Sequence, residues 1–242
     1  MEMKHVKNIT VTFAYITLLY TISACSTFQA IGDKLPGNNA SVYLDSLNYY
    51  YEQATNNLIT GFINIYKAVK KEKVAAELET IKNSNMAQEK PFEKYRKADV
   101  VIKKSRISPA DIARISTEAK QYVTVSLINF GMGGYFDNEA INYSKELINK
   151  ASLKPEDFIT STGQEVIGLA KEGLKIFPNH LKTSRLWFEA VKQYMETNGM
   201  EVPDHDEIKN IAMENGAKEE DVESVVNVVK GTEQIKENVS TK

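Results

Sequence analysis

Residues 41–69 read SVYLDSLNYYYEQATNNLITGFINIYKAV, and their apolar positions decide the fold class. Leu44, Leu47, Tyr51, Ala54, Leu58, Phe62, Ile65 and Val69 follow one another at intervals of three or four residues. An α-helix completes a turn in about 3.6 residues, so this spacing gathers them on one face, whereas a strand would need strict alternation. Val74, Leu78 and Ile81 continue the stripe. One unbroken helix of about 40 residues would be about 60 Å long, so a break near Gly61 or Lys71 is expected.

Downstream the same period recurs. Asn83 to Pro91 is polar, and Phe92, Tyr95, Val100, Val101 and Ile102 form a weaker helical segment. Ser108-Pro109-Ala110-Asp111 reads as a helix start, with Ser as N-cap, Pro in the first turn and a carboxylate at its positive end. This helix is expected to run through Ile112, Ile115, Ala119, Val123, Leu127 and Phe130 and to stop at Gly131, Gly133 and Gly134. Asp137 would cap the next helix, carrying Ile141, Leu147 and Ile148. Pro155 opens another segment, and Val166, Ala170 and Leu174 give a stripe expected to end at Phe177 and Pro178. Leu181, Trp187, Phe188, Val191 and Tyr194 mark a further helix, and two short charged helices are expected at about 204–215 and 218–230. No stretch alternates with period two, so the fold class is all-α, a bundle of about six to eight helices.

Composition excludes several functions. The chain balances 30 Lys and Arg against 32 Asp and Glu, which argues against nucleic acid as a partner, since that recognition needs a basic stripe or patch. Lys70, Lys71 and Lys73, and again Lys103, Lys104 and Arg106, are short basic clusters that read as solvated helix faces. A single cysteine, Cys25, excludes an internal disulfide and a cysteine-based metal site.

Upstream of the deciding stretch, residues 26–40 hold Gly32, Pro36, Gly37, Asn38 and Asn39 with little periodicity and read as a flexible tether. Before them, Lys4, His5 and Lys7 precede an uncharged stretch from Ile9 to Ala24, the pattern of a signal peptide. That run is shorter than the roughly 20 residues a helix needs to span the hydrocarbon core. It closes on Ile22-Ser23-Ala24-Cys25.

These residues closely resemble the lipobox of the bacterial lipoprotein class: an aliphatic residue, two small residues and a cysteine. The resemblance covers only about the first 25 residues. It implies that signal peptidase II cuts before Cys25, that the thiol carries diacylglycerol, and that the new amino group is open to a further acyl chain such as palmitate. It also implies a sorting role for Ser26, because an aspartate at that position holds Gram-negative lipoproteins at the inner membrane. With serine there, the implied location is the outer membrane, facing the periplasm.

Candidate site residues in the body are few. Phe130 to Asn138 is the one glycine-rich element, but no strand precedes it and no Lys-Ser or Lys-Thr follows, so a helix-to-helix turn is the simpler reading than a phosphate loop. Asp204, His205, Asp206 and Glu207 suggest a helix cap before a metal site, because adjacent helical residues cannot all face one ion. Trp187, Ala190 and Tyr194 match part of a tetratricopeptide spacing, without the 34-residue repeat that would support it. Tyr49, Tyr50 and Tyr51 sweep about 200° of a helix, so at least one ring should face away from the core. With Trp187 they are the candidate contacts for a protein or glycan partner.

The expected organisation is a signal peptide over 1–24, a lipidated cysteine and tether over 25–40, a helical bundle over 41–200, and a C-terminal hairpin over 201–242 docked on the Trp187 helix. No cofactor, metal-binding residue or catalytic residue is expected. The expected role is a lipid-anchored binding or structural component of the cell envelope. An envelope hydrolase acting on peptidoglycan or lipid, or an exclusion or immunity lipoprotein, are the alternatives.

Overall fold

The computed structural model describes residues 39–84 and 92–231, so the expected signal peptide, Cys25, Ser26 and nearly all of the expected tether lie outside the described residues. Among the described residues every regular element is helical, and the protein is an all-α bundle. The α-helices are α1 (Asn39–Ala68), α2 (Glu72–Lys82), α3 (Glu93–Ser105), α4 (Lys120–Leu153), α5 (Ser161–Thr197), α6 (His205–Glu214) and α7 (Glu219–Lys230). Short 3-10 turns occupy Pro109–Arg114, Thr117–Ala119 and Pro155–Phe158.

Three long helices make the core. Tyr51 meets Ser144 while Ser126 reaches the carbonyl of Gly61, so α1 and α4 run antiparallel. Asp137 meets His180 and Ser184 while Gly131 lies against Phe188, so α5 runs antiparallel to α4. At 1.5 Å per residue these helices are about 45 to 55 Å long. The start of α1, the end of α4 and the start of α5 therefore share one end of the bundle. Among the described residues no helix is long and apolar enough to cross a membrane.

Several expected boundaries are corrected. The helix does not stop at Gly131, Gly133 and Gly134, because α4 passes straight through them. Gly131 and Gly133 serve close packing: a Cβ on Gly131 would lie 2.8 Å from Val229 Cγ2, and one on Gly133 only 3.4 Å from the backbone nitrogen of Leu58. Gly61 is likewise no break, since its missing side chain leaves room for the Phe130 ring, 2.7 Å from where a Cβ would sit. The break falls after Ala68, where the amide of Lys71 bonds the carbonyl of Tyr66 and Lys70 adopts φ 58°.

Pro178 does not end a helix either, because it lies inside α5. An interior proline forfeits one backbone hydrogen bond, at about 3 kcal/mol. Phe177, His180 and Leu181 are buried around it and hold the helix continuous. Asp137, expected as a cap, is a fully buried residue in the middle of α4. Ser108 is the expected N-cap with Pro109 after it, and with Asp111 it forms a capping box, but on a 3-10 turn rather than on a long helix. The chain there crosses the end of the bundle, held by Ile112 and Ile115 in the core and by the Tyr194 hydroxyl, which donates to the carbonyl of Ile115 at 2.9 Å.

The two short C-terminal helices are α6 and α7. Asp204 caps the first through the amide of Glu207, and Gly216 and Gly231 close the two helices with φ of 86° and 74°. They rest mainly on α4 and are bonded to Tyr49 and Gln53 of α1, whereas docking mainly on the Trp187-bearing helix was expected. Val222, Val225, Val226 and Val229 are all buried by this docking.

Candidate functional site

The tyrosine triplet splits three ways. Tyr51 points inward and is fully buried, its hydroxyl 2.8 Å from Ser144 Oγ and donating to the carbonyl of Leu169 at 3.1 Å. Its ring packs on Phe177 and Phe92 with centroids 4.6 and 5.2 Å away, and Gly173 leaves space for the phenol. Tyr49 holds the C-terminal hairpin. Its hydroxyl donates to Asp221 Oδ2 at 2.7 Å and accepts the amide of Lys218 at 2.9 Å, while Lys218 Nζ lies 4.3 Å from the ring centroid. Tyr50 is half-buried between Tyr49 and Tyr143, and burial first, then the charge of Asp221, pushes its phenol up to about 12.

Trp187 is buried against Phe62 at 5.0 Å and Phe130 at 6.1 Å. Tyr51 and Trp187 are therefore core residues, which corrects their assignment as partner contacts. Of the four, only Tyr50 keeps part of its ring on the surface without holding the hairpin.

Asp221 is a junction that sequence reasoning missed. Besides Tyr49 it accepts the Tyr135 hydroxyl at 2.9 Å, so one buried carboxylate in the first turn of α7 ties that helix to both α1 and α4. Gln53 adds a bond from Nε2 to the carbonyl of Gly216 at 3.0 Å, which pins the turn between α6 and α7.

A second polar group lies deep between α4 and α5. Asp137 Oδ1 is 2.5 Å from His180 Nδ1, and Ser184 Oγ donates to Asp137 Oδ2 at 2.9 Å. All three residues are fully buried. Burial pushes the Asp137 carboxyl above the usual range, and His180 and Ser184 only partly offset it. Tyr95 and Phe177 flank the imidazole at 4.7 and 5.6 Å. Here the carboxylate stands between histidine and serine, the reverse of the order in which a histidine activates a serine nucleophile. The group is an interior clamp for two helices.

A concave site with charged walls lies at the far end of the bundle, where α1 and α3 both finish. A cavity of about 410 Å³ opens there between Ala68, Val69 and Ile107, with Lys70, Lys71 and Arg106 around it. The two basic clusters that read as separate helix faces meet at this point, because Lys71 Nζ donates to the carbonyl of Ser105 at 3.0 Å and Tyr66 and Ser105 share a short hydroxyl contact. Lys70 and Arg106 are the two non-glycine residues with positive φ among the described residues, at 58° and 52°. Each follows a helix C-terminus, a position where glycine is usual. Cations there complement the negative ends of two helix dipoles. The one carboxylate at the cavity, Asp111, accepts from the Ser108 amide and hydroxyl at 2.8 and 2.9 Å. A cavity so lined suits an anionic group attached to a small apolar body.

His205, the other candidate at the C-terminal helix start, sits at the surface with Nε2 3.1 Å from Glu223 Oε1.

The fold and the site thus define an all-α helical bundle with a basic-rimmed cavity at one end. Compared with protein-family models, with curated proteins and with solved structures, the chain matches none.

Proposed function

We propose that this chain is a lipid-anchored lipoprotein of the bacterial cell envelope and that its helical body is a binding component. The observation that carries the reading is Ile22-Ser23-Ala24-Cys25 closing an uncharged stretch behind Lys4 and Lys7. A diacylated cysteine decides location physically, because each buried methylene contributes about 0.8 kcal/mol and two chains together hold a protein on a bilayer. Ser26 directs it to the outer membrane in a Gram-negative host.

Binding is favoured over hydrolysis by where the polar side chains lie. The cavity between Lys70, Lys71 and Arg106 suits an anion, and its one carboxylate, Asp111, is engaged by the Ser108 amide and hydroxyl. Asp137, His180 and Ser184 have the chemistry of a hydrolase but are enclosed by the core. Labelled palmitate decides the anchoring. It should enter the wild-type protein in cells and not Cys25→Ser, and equal labelling of the two would overturn the reading.

A further inference from the structure

The end of the bundle where the chain enters at Asn39 carries a feature that the core does not explain. The two most exposed large apolar side chains among the described residues, Leu153 at 81% and Ile159 at 71%, flank the Pro155–Phe158 turn at this end. Val42, in the first turn of α1, is exposed at 47%. The turn is firmly seated. Phe158 is buried and stacks on Tyr43 with centroids 5.8 Å apart, and Thr160 Oγ1 accepts the amide of Gly163 at 3.0 Å. Gly163 itself comes so near the turn that a Cβ would lie 2.6 Å from the Phe158 backbone. Leu153 and Ile159 are thus held outward by a fixed turn, with Lys154 and Glu156 also exposed between them.

We infer that this end rests on the lipid bilayer, with Leu153 and Ile159 entering the interface between headgroups and acyl chains. The inference rests on the lipid-anchor reading above. The residues between Cys25 and Asn39 would span at most about 50 Å even if fully extended. The bundle is about as long, so placing its far end on the same membrane would require nearly full extension of that segment. Contact at the near end requires none. Two apolar side chains add little to an anchor of two or more acyl chains, so their effect is on orientation and not on retention. With this end down, the basic cavity stands about 45 Å from the anchoring membrane.

The test uses the mature lipoprotein in vesicles of phosphatidylethanolamine and phosphatidylglycerol. Leu153→Cys, Ile159→Cys and, as a control on the far half of α5, Leu186→Cys each carry a polarity-sensitive fluorophore, with Cys25 blocked by its thioether. All three positions are exposed, so the fold tolerates the label. Brominated lipids should quench the labels at 153 and 159 at least twofold more than the label at 186. Equal quenching at all three positions, with Cys25 found diacylated by mass spectrometry, overturns the inference and leaves the anchor reading standing. A Cys25 without lipid overturns both.

Discussion

The two ends of the three-helix core are built to different rules, although the same helices supply both. At the Asn39 end the chain turns within a few residues, from Leu153 through Phe158 to Ser161, and leaves apolar side chains in solvent. At the Lys70 end the described residues between α1 and α4 include two helices, two 3-10 turns and two left-handed cations. An exposed leucine is not costly to stability, because the unfolded chain exposes it as well. A left-handed lysine or arginine is costly, by roughly 1 kcal/mol each relative to glycine. One end therefore carries strain and charge around a cavity, and the other carries unburied apolar surface on a relaxed turn. Such departures from the stable choice are expected where a surface meets something else.

The middle of the bundle keeps the two ends in register, and breaking it should have the largest effect. Asp137→Ala leaves a buried histidine and serine without their acceptor, and should cost about 3–5 kcal/mol in chemical denaturation. A loss under about 1 kcal/mol would mean that the pair does not clamp α4 to α5.

Removing the junction on the side of the bundle comes next. Asp221→Ala deletes the acceptor of two phenols, and should cost about 2 kcal/mol. Hydrogen exchange should show α6 and α7 opening before the core helices do. Uniform exchange across the protein would show that the hairpin is not a separate unit of stability.

At the basic end the sign reverses. Lys70→Gly and Arg106→Gly relieve positive φ and should each raise stability by up to about 1 kcal/mol, while weakening any anion held in the cavity. Destabilisation by either would show that the cation's interaction with the helix end outweighs the backbone strain.

The smallest effect belongs to the apolar end. Leu153→Ser and Ile159→Ser should change stability in solution by less than about 0.5 kcal/mol, since neither side chain fills the core. A thermal melt that shifts by many degrees would make them structural and remove the contrast between the ends.

Local chemistry was readable where it acts alone. The last two helices were expected at about 204–215 and 218–230 and occupy 205–214 and 219–230, because Asp204, Gly216 and Gly231 act through their own side chains and dihedral freedom. Of the two places expected for a break, Gly61 and Lys71, the second holds, and the N-cap at Ser108 was legible for the same reason. Of the site, the individual basic clusters were visible but not their meeting, since Lys71 and Ser105 lie 34 positions apart.

By itself the sequence determined the all-α class, through a spacing of three and four that no strand can use, and the anchoring proposal rests on its resemblance to a lipobox at Ile22-Ser23-Ala24-Cys25. Only the tertiary structure decided which glycines and prolines interrupt a helix. Gly131, Gly133 and Pro178 each disfavour a helix by about 1 to 3 kcal/mol, and the close packing of α1, α4, α5 and α7 around them outweighs that preference. The same is true of Tyr49, Tyr50 and Tyr51, consecutive in the chain but assigned to hairpin, surface and core by what surrounds α1. Periodicity follows from one helix's own geometry, but which neighbour meets each residue depends on helices far away in sequence.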